Sequence, residues 1–478
     1  MPSAITRITR AQPALDFVPP NYSPWLRWIM QPLMPTVTAL QTDLMAVEAR
    51  NVETLVQLYH EFDLGKTRVL LAFRHPNAID PYVLSHLIWR ELPQTARQMG
   101  VKLKTPHAHF IYDRGIPLWA GNYLSWVFSH LGGLPIQRGK LDLLALKTAR
   151  KLLLEGKFPL AAAPEGGNNG HNEIVSPLEP GVAQLAFWCA EDLQAANRSE
   201  SVVILPVGIQ YRYLDAPWRQ LASLISTLEA DCCLAALDAD NAEISALKLE
   251  PKRHEHEQLY CRLYRLAECL LTLMEGYYQT FYNVDFEVDE TASGRADDAA
   301  RLPNEQLAVR LQTLMDKALQ VAESYFNVRS RGSIIDRCRK LEQAGWSRIF
   351  REDTQSLGPV ELGLANRVAE EAYLRMWHMR LVESFVAVTG RYVKEHPSAE
   401  RFAETTLLLS DMVDKIKGHM GDQPVSRPKL GKQKAIVTVG QPIEVSARLP
   451  DYTTKRRGAI AALTKDLQQA MESLILSE

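Results

Sequence analysis

Apolar and polar positions follow two rhythms along this chain. Val69 to Phe73 is a short apolar run, the pattern of a buried strand. Arg74 and His75 leave it, Pro76 and Asn77 turn, and Asp80–Pro81 opens an apolar-periodic stretch through Val83, Leu84, Leu87 and Ile88. Asp at the N-cap with Pro at the first helical position is a helix start. Further strands are predicted at 107–112 (HAHFIY), in the turn-to-extended piece GGLPI at 132–136, at Phe158–Ala163 and, most clearly, at Val202–Tyr211. Helical spacing fills the intervals: an apolar and aromatic stretch at 116–131, Leu141–Gly156, and a restart at Pro180–Trp188. Strands alternating with helices from 66 to 215 predict an α/β domain. Upstream, Leu40, Leu44, Val47, Val52, Leu55 and Leu58 share a face and predict a helix over 36–66.

From 216 to 425 strand signals fade and helical spacing dominates, as in Leu259–Tyr277, Leu307–Phe326 and Val360–Tyr392. Two breaks, 285–304 and 420–434, are turn-rich and read as linkers or exposed loops. Strand signal then returns at Ala435–Val439, and Ile460, Leu463, Leu467, Met471, Leu474 and Ile475 line a terminal helix. A lone strand and helix cannot bury their faces, so this tail is expected to rejoin the sheet. The organisation is therefore an N-terminal helical segment (1–65), an α/β core (66–215), a helical insertion (216–430) and a returning strand and helix (431–478).

Composition narrows the function classes. The 478 residues are 46% hydrophobic and 23% charged, with a net charge of −2, which gives no reason to expect a nucleic-acid partner. The six cysteines show no C-x-x-C spacing and read as reduced structural thiols of a cytoplasmic protein. No signal peptide or transmembrane run is predicted. The stretch 22–40 is apolar but carries Arg27, Pro24, Pro32 and Pro35. It reads equally as a helix packed on the domain or as one lying in a headgroup layer through Trp25, Trp28, Ile29, Leu33 and Met34. The basic stretch around Arg329, Arg331, Arg337, Arg339 and Lys340 leaves the same choice between an anionic membrane surface and a solvated helix face. His254 and His256 lie on different helix faces, which argues against a metal pair, and His107 and His109 read as structural.

The candidate chemistry begins at His75 and Asp80. A strand tip followed by a tight loop folds the carboxylate back onto the imidazole, so that one ring nitrogen is held and the other is free to take a proton. Two further stretches share the strand-end placement where α/β folds gather chemistry: GLPIQR at 133–138 with Arg138, and APEGGN at 163–168 with Glu165 and Gly166; ILPVGI at 204–209 lies within the predicted strand Val202–Tyr211.

In this order and spacing, RHPNAID, GLPIQR, APEGGN and ILPVGI resemble the four motifs of the glycerolipid acyltransferase family, of the 1-acylglycerol-3-phosphate acyltransferase type. TVGQPI at 438–443 resembles that family's closing strand. The family's Thr-Arg after Glu-Gly is here Gly167 and Asn168, and its Phe-Lys-x-Gly is here LEPG, at Leu178–Gly181. Two cations that hold an acceptor phosphate in the family are thus absent, and Arg138 and Arg114 remain as candidate anion ligands, with His171 a third if charged.

The resemblance implies an α/β sheet flanked by helices, interrupted by a large all-helical insertion. It implies acyl transfer from a thioester donor, acyl-CoA or acyl-carrier protein, to a hydroxyl of a lysolipid or glycerol-phosphate acceptor in phospholipid biosynthesis. The expected setting is the cytoplasmic face of a membrane, as a peripheral protein. His75 is then the general base, Asp80 its orienting partner, and Arg138, Arg114, Glu165 and Gly166 the substrate-binding set. No metal or redox cofactor is implied. A non-catalytic acyl-chain or membrane-binding module, and a thioester hydrolase, remain as alternatives.

Overall fold

A computed structural model describes residues 8–117, 121, 123–137, 142–235, 254–286, 303–383, 391–418 and 427–476. The chain divides into two compact units: Leu15–Asp215 with Gly431–Glu478, and Ala216–Leu430 with the segment ending at Ala14.

The first unit is built on an eight-stranded sheet. Its strands are β1 (Leu44–Arg50), β2 (Thr67–Phe73), β3 (His109–Asp113), β4 (Gly133–Ile136), β5 (Leu160–Ala162), β6 (Ser201–Tyr213), β7 (Gln433–Val439) and β8 (Ile443–Glu444). They lie in the order β1-β7-β6-β2-β5-β3-β4, with β8 pairing β6. Strands β2 to β6 run parallel along the path β6-β2-β5-β3-β4, so their carboxyl ends share one edge. The returning β7 sits antiparallel to β6 and parallel to β1. Every residue of β2 is buried, as its unbroken apolar run requires of a strand covered on both faces. One face carries Val69, Leu71 and Phe73 against the helix Val52–Asp63; the other carries Leu70 and Ala72 against the helices Leu143–Glu155 and Gly181–Ala195.

The helix predicted over 36–66 is not one helix. Helix α1 (Pro24–Gln41) ends at Thr42, strand β1 follows, and Asn51, in the left-handed region at φ 58°, turns the chain into α2 (Val52–Asp63). LMAVEAR joins the sheet because β7, some four hundred residues on, supplies its hydrogen bonds, and tertiary pairing outweighs local helical spacing. The apolar stretch 116–131 is helical over Tyr123–His130. His107 and His109 belong to the core. His107 accepts from Trp89 Nε1 at 3.1 Å and donates from Nε2 to the Leu131 carbonyl at 2.9 Å, and burial pushes its pKa down to about 3.

The second unit is helical among its described residues: Trp218–Asp231, His254–Tyr282, Pro303–Phe326, Ile334–Ile349, Pro359–Glu383, Tyr392–Glu395 and Ala399–Ile416, with one two-residue bridge between Gln12–Pro13 and Phe350–Arg351. Of the two breaks in the helical pattern, 287–302 of the first and 420–426 of the second fall outside the described residues, and the second ends in β7. The basic stretch is divided, with Arg329, Arg331 and Lys340 exposed and its other arginines engaged. Arg337 is buried against Glu323 and Asp316, Arg339 pairs with Glu342 and Glu383, and Arg348 stacks on Tyr325 and Phe326. Among the described residues no helix is long and apolar enough to cross a membrane.

Candidate active site

The parallel carboxyl edge assembles the site. After β2 ends at Phe73, Arg74 N–H still donates to the Val207 carbonyl of β6 at 2.9 Å, so the backbone holds strand geometry up to His75. The turn then returns the chain to helix α3 (Asp80–His86), with Asp80 N–H on the Asn77 carbonyl at 3.2 Å. His75 Nδ1 and Asp80 Oδ2 lie 2.7 Å apart, and the same carboxylate oxygen accepts the Asn77 N–H at 3.1 Å. The other oxygen accepts the Tyr211 hydroxyl.

The two members of the pair differ in exposure. The His75 side chain is 25% exposed, whereas that of Asp80 is fully buried. Burial pushes the Asp80 carboxyl above its ordinary value, against the pull of the His75, Tyr211 and Asn77 donors. Burial, with the negative charge of Asp80 beside it, raises Tyr211 well above an ordinary phenol, so it stays a donor at any working pH. An Asp80 carboxylate accepting from Nδ1–H fixes the tautomer whose Nε2 is free to take a proton.

The loop after β5 is locked beneath this pair. Glu165 Oε1 accepts the backbone N–H of His75 at 2.9 Å; Oε2 accepts from Asn169 Nδ2 at 2.8 Å and from Ser176 N–H at 2.9 Å. Arg74 Nε stands 3.5 Å from Glu165 Oε1, and its guanidinium nitrogens donate to the carbonyls of His171, Asn172 and Ile174. Both side chains are almost wholly buried. Gly166 follows at φ 69° and Gly170 at φ 73°, a backbone that side-chain-bearing residues rarely adopt. Asn172 Oδ1 accepts the Tyr211 N–H at 2.7 Å, and Glu173 pairs with Arg212 at 3.1 Å. PEGGNNGHNE is therefore a rigid shelf rather than a loose loop.

The structure thus brings His75, Asp80 and Glu165 together, and gives Glu165 a positioning role through the backbone beneath His75. Gly166 N–H is taken by the Ala163 carbonyl at 3.2 Å. Arg114 lies at the carboxyl end of β3, where its guanidinium pairs with Asp142 and packs over the Phe17 ring at 5.2 Å. Asp142 in turn caps the helix Leu143–Glu155. Arg138 lies outside the described residues. Sequence reasoning missed Tyr211 as the second holder of Asp80, and Arg74 as the clamp on the shelf. Among the described residues no group of three or more His, Cys, Asp or Glu could hold a metal ion.

Residues 46–210 match the family model described as Acyltransferase, a span from within β1 to near the end of β6. No curated protein matches the chain.

Proposed function

We propose, from the match of residues 46–210 to the acyltransferase family model, that the chain moves a fatty acyl group from acyl-CoA or acyl-carrier protein to a hydroxyl of a lysolipid or glycerol-phosphate acceptor, as glycerolipid acyltransferases do. The observation that carries this reading is the 2.7 Å contact between a part-exposed imidazole and a buried carboxylate at the strand edge. His75 Nε2 takes the proton as the acceptor oxygen attacks the thioester carbonyl. The C–O bond forms, the C–S bond breaks, and the imidazolium returns the proton to the departing thiolate. Asp80 steadies the imidazolium while it exists. Tyr211 and the Asn77 N–H hold Asp80, and Glu165 with Arg74 holds the backbone under His75.

A membrane-surface setting is supported by α1. Leu26 is buried in the core, and Met30 and Met34 pack against it. The opposite face leaves Trp28 77% exposed and Leu40 79% exposed, with Trp25, Ile29 and Leu33 between them. Trp25 meets Trp126 at 6.1 Å, and Tyr123 is exposed in the same helix as Trp126. A helix apolar on both faces, with tryptophans on the open one, fits an interfacial position. Gln41, the last residue of α1, accepts the Tyr82 hydroxyl of α3, the helix that begins at Asp80. A peripheral position on a cytoplasmic membrane face, within phospholipid synthesis, completes the proposal.

The test is transfer of a labelled acyl group from each donor to a panel of lysolipids and glycerol phosphate in mixed vesicles. His75→Ala is expected to lower transfer by about 10²- to 10⁴-fold while vesicle binding persists. Release of free fatty acid without lipid product reassigns the site to hydrolysis. Absence of transfer from either donor to any acceptor rejects catalysis in favour of a binding module.

A further inference from the structure

The six cysteines fall into two groups, neither of which the acyl-transfer reading uses. Cys189, Cys261 and Cys338 are buried, each inside a different helix. Cys233 is exposed, and Cys232 and Cys269 are half-buried. The thiols that solvent reaches lie together. Cys232 and Cys269 stand side by side at hydrogen-bond separation, and Cys233 is near enough for its charge to act on Cys232.

Two helices of the second unit bring the sulfurs to one place. Trp218–Asp231 and the first half of His254–Tyr282 run side by side in the same direction. Trp218 stacks on His256 with ring centroids 4.0 Å apart. Farther along, Arg262 Nη2 donates to Glu229 Oε2 at 2.6 Å and to Ser226 Oγ at 2.6 Å. Cys269 lies two turns beyond Arg262 on the same helix face. Cys232 lies one turn beyond Glu229, where the first helix ends. Cys233 follows at φ 54°, the left-handed conformation that closes that helix. Ring stack, ion pair and thiol pair are thus successive rungs of one interface, and the helix register sets the approach of the two sulfurs.

We propose that Cys232 and Cys269 are a site of reversible oxidation, joined by hydrogen peroxide into a disulfide that staples the two helices. The Cys269 sulfur attacks one peroxide oxygen; an S–O bond forms, the O–O bond breaks, and the second oxygen leaves as water with the thiol's proton. The Cys232 sulfur then attacks the sulfenic sulfur of Cys269. The S–S bond forms, the S–O bond breaks, and the oxygen leaves as a second water with a proton from Cys232. Two thiols are oxidised by two electrons in all, and one peroxide is reduced to two waters. Burial, with Cys269 beside it, pushes the Cys232 thiol up to about 11, so it is protonated at neutral pH and enters as the second reactant. The staple closes the segment from 232 to 269 and takes freedom from the unfolded chain, which stabilises the helical unit. The site does not depend on the acyl-transfer reading.

The test treats the full chain with a modest excess of hydrogen peroxide, blocks the remaining thiols with iodoacetamide, and maps the digested peptides by mass spectrometry. The peptide holding Cys232 is expected to be joined to the one holding Cys269, and dithiothreitol is expected to separate them. Cys233→Ser is expected to keep the link, whereas Cys232→Ser and Cys269→Ser are each expected to lose it. Oxidation is expected to raise the melting temperature of the unaltered chain by several degrees and to leave that of Cys269→Ser unmoved. The peptide map of the unaltered chain is read without any variant, so a substitution that fails to fold does not stop the test. Oxidised protein in which Cys232 and Cys269 stay unlinked, a link that survives Cys232→Ser, or a link with no gain in melting temperature overturns the proposal.

Discussion

Asp80 shows how a single buried carboxylate can be both costly and useful. Its folded-state pKa lies above the unfolded value. A group shifted upward adds stability below its unfolded pKa and loses that contribution as pH rises through the folded one. The ionised carboxylate is therefore a net cost at neutral pH, which the His75, Tyr211 and Asn77 donors offset in part. Asp80→Asn removes the charge and puts an amide N–H where an acceptor stood, which favours the imidazole tautomer protonated on Nε2. Transfer is expected to fall by about 10²- to 10⁴-fold, with thermal stability at neutral pH unchanged or raised. Tyr211→Phe is milder. Losing a donor raises the Asp80 carboxyl further, so the carboxylate that orients the imidazole protonates at higher pH. The acid limb of the pH–rate profile is expected to move upward, with the plateau little changed. An unshifted limb would remove Tyr211 from the pair's support. His75 and Asp80 could be found in the sequence because strand, turn and helix start are local signals. Tyr211 could not, since its contact with Asp80 joins residues 131 apart and nothing in VVILPVGIQY marks its last side chain as a partner.

At the scale of elements, local pattern and tertiary pairing part company in a consistent way. β2, β6 and the terminal helix, found at Arg456–Glu472, were legible because each carries its own periodicity or apolar run. β1 was not, because LMAVEAR has helical spacing and its strand partner lies in the returning tail. The shelf was legible as a Gly- and Asn-rich loop, but its rigidity rests on Arg74 and Glu165, whose contacts span about a hundred residues. Helix α1 was left by its sequence between core packing and an interfacial role, and its geometry is compatible with both: Leu26 faces the core while Trp28 and Leu40 stay open. The exposed face can be tested without touching the buried one. Trp28→Ser with Leu40→Ser is expected to leave the far-ultraviolet spectrum and melting temperature nearly unchanged, because exposed substitutions away from specific contacts alter stability by about 0.5 kcal/mol or less. Sedimentation with anionic vesicles is expected to drop severalfold. Undiminished vesicle binding would take the interfacial role from this helix.

At the scale of the whole molecule, the helical unit is inserted at the end of a two-stranded ribbon. β6 and β7 run antiparallel with Tyr213 opposite Gln433, and Leu214 N–H donates to the Lys432 carbonyl at 2.9 Å. The two chain ends at the insertion are therefore already at hairpin distance. Replacing 215–431 with an Asn-Gly turn would close an ordinary β-hairpin, and removing the residues before Leu15 takes away the segment grouped with the helical unit. Shortening a flexible connection of that length to two residues would gain at most about 4 kcal/mol in closure entropy; a folded insertion constrains its own ends, so the gain is smaller. The excised chain is expected to give one cooperative melt and to keep the His75–Asp80 contact, seen as unchanged dependence of acyl transfer on His75. Ending the chain at Leu430 instead is expected to give no folded α/β unit. Without β7 the sheet loses its link between β1 and β6, and with it the buried Ala435, Val437 and Val439. A truncated chain that still melts cooperatively would show that the tail is an accessory edge. A hairpin-closed chain that folds but transfers nothing would show that the helical unit supplies part of the reaction.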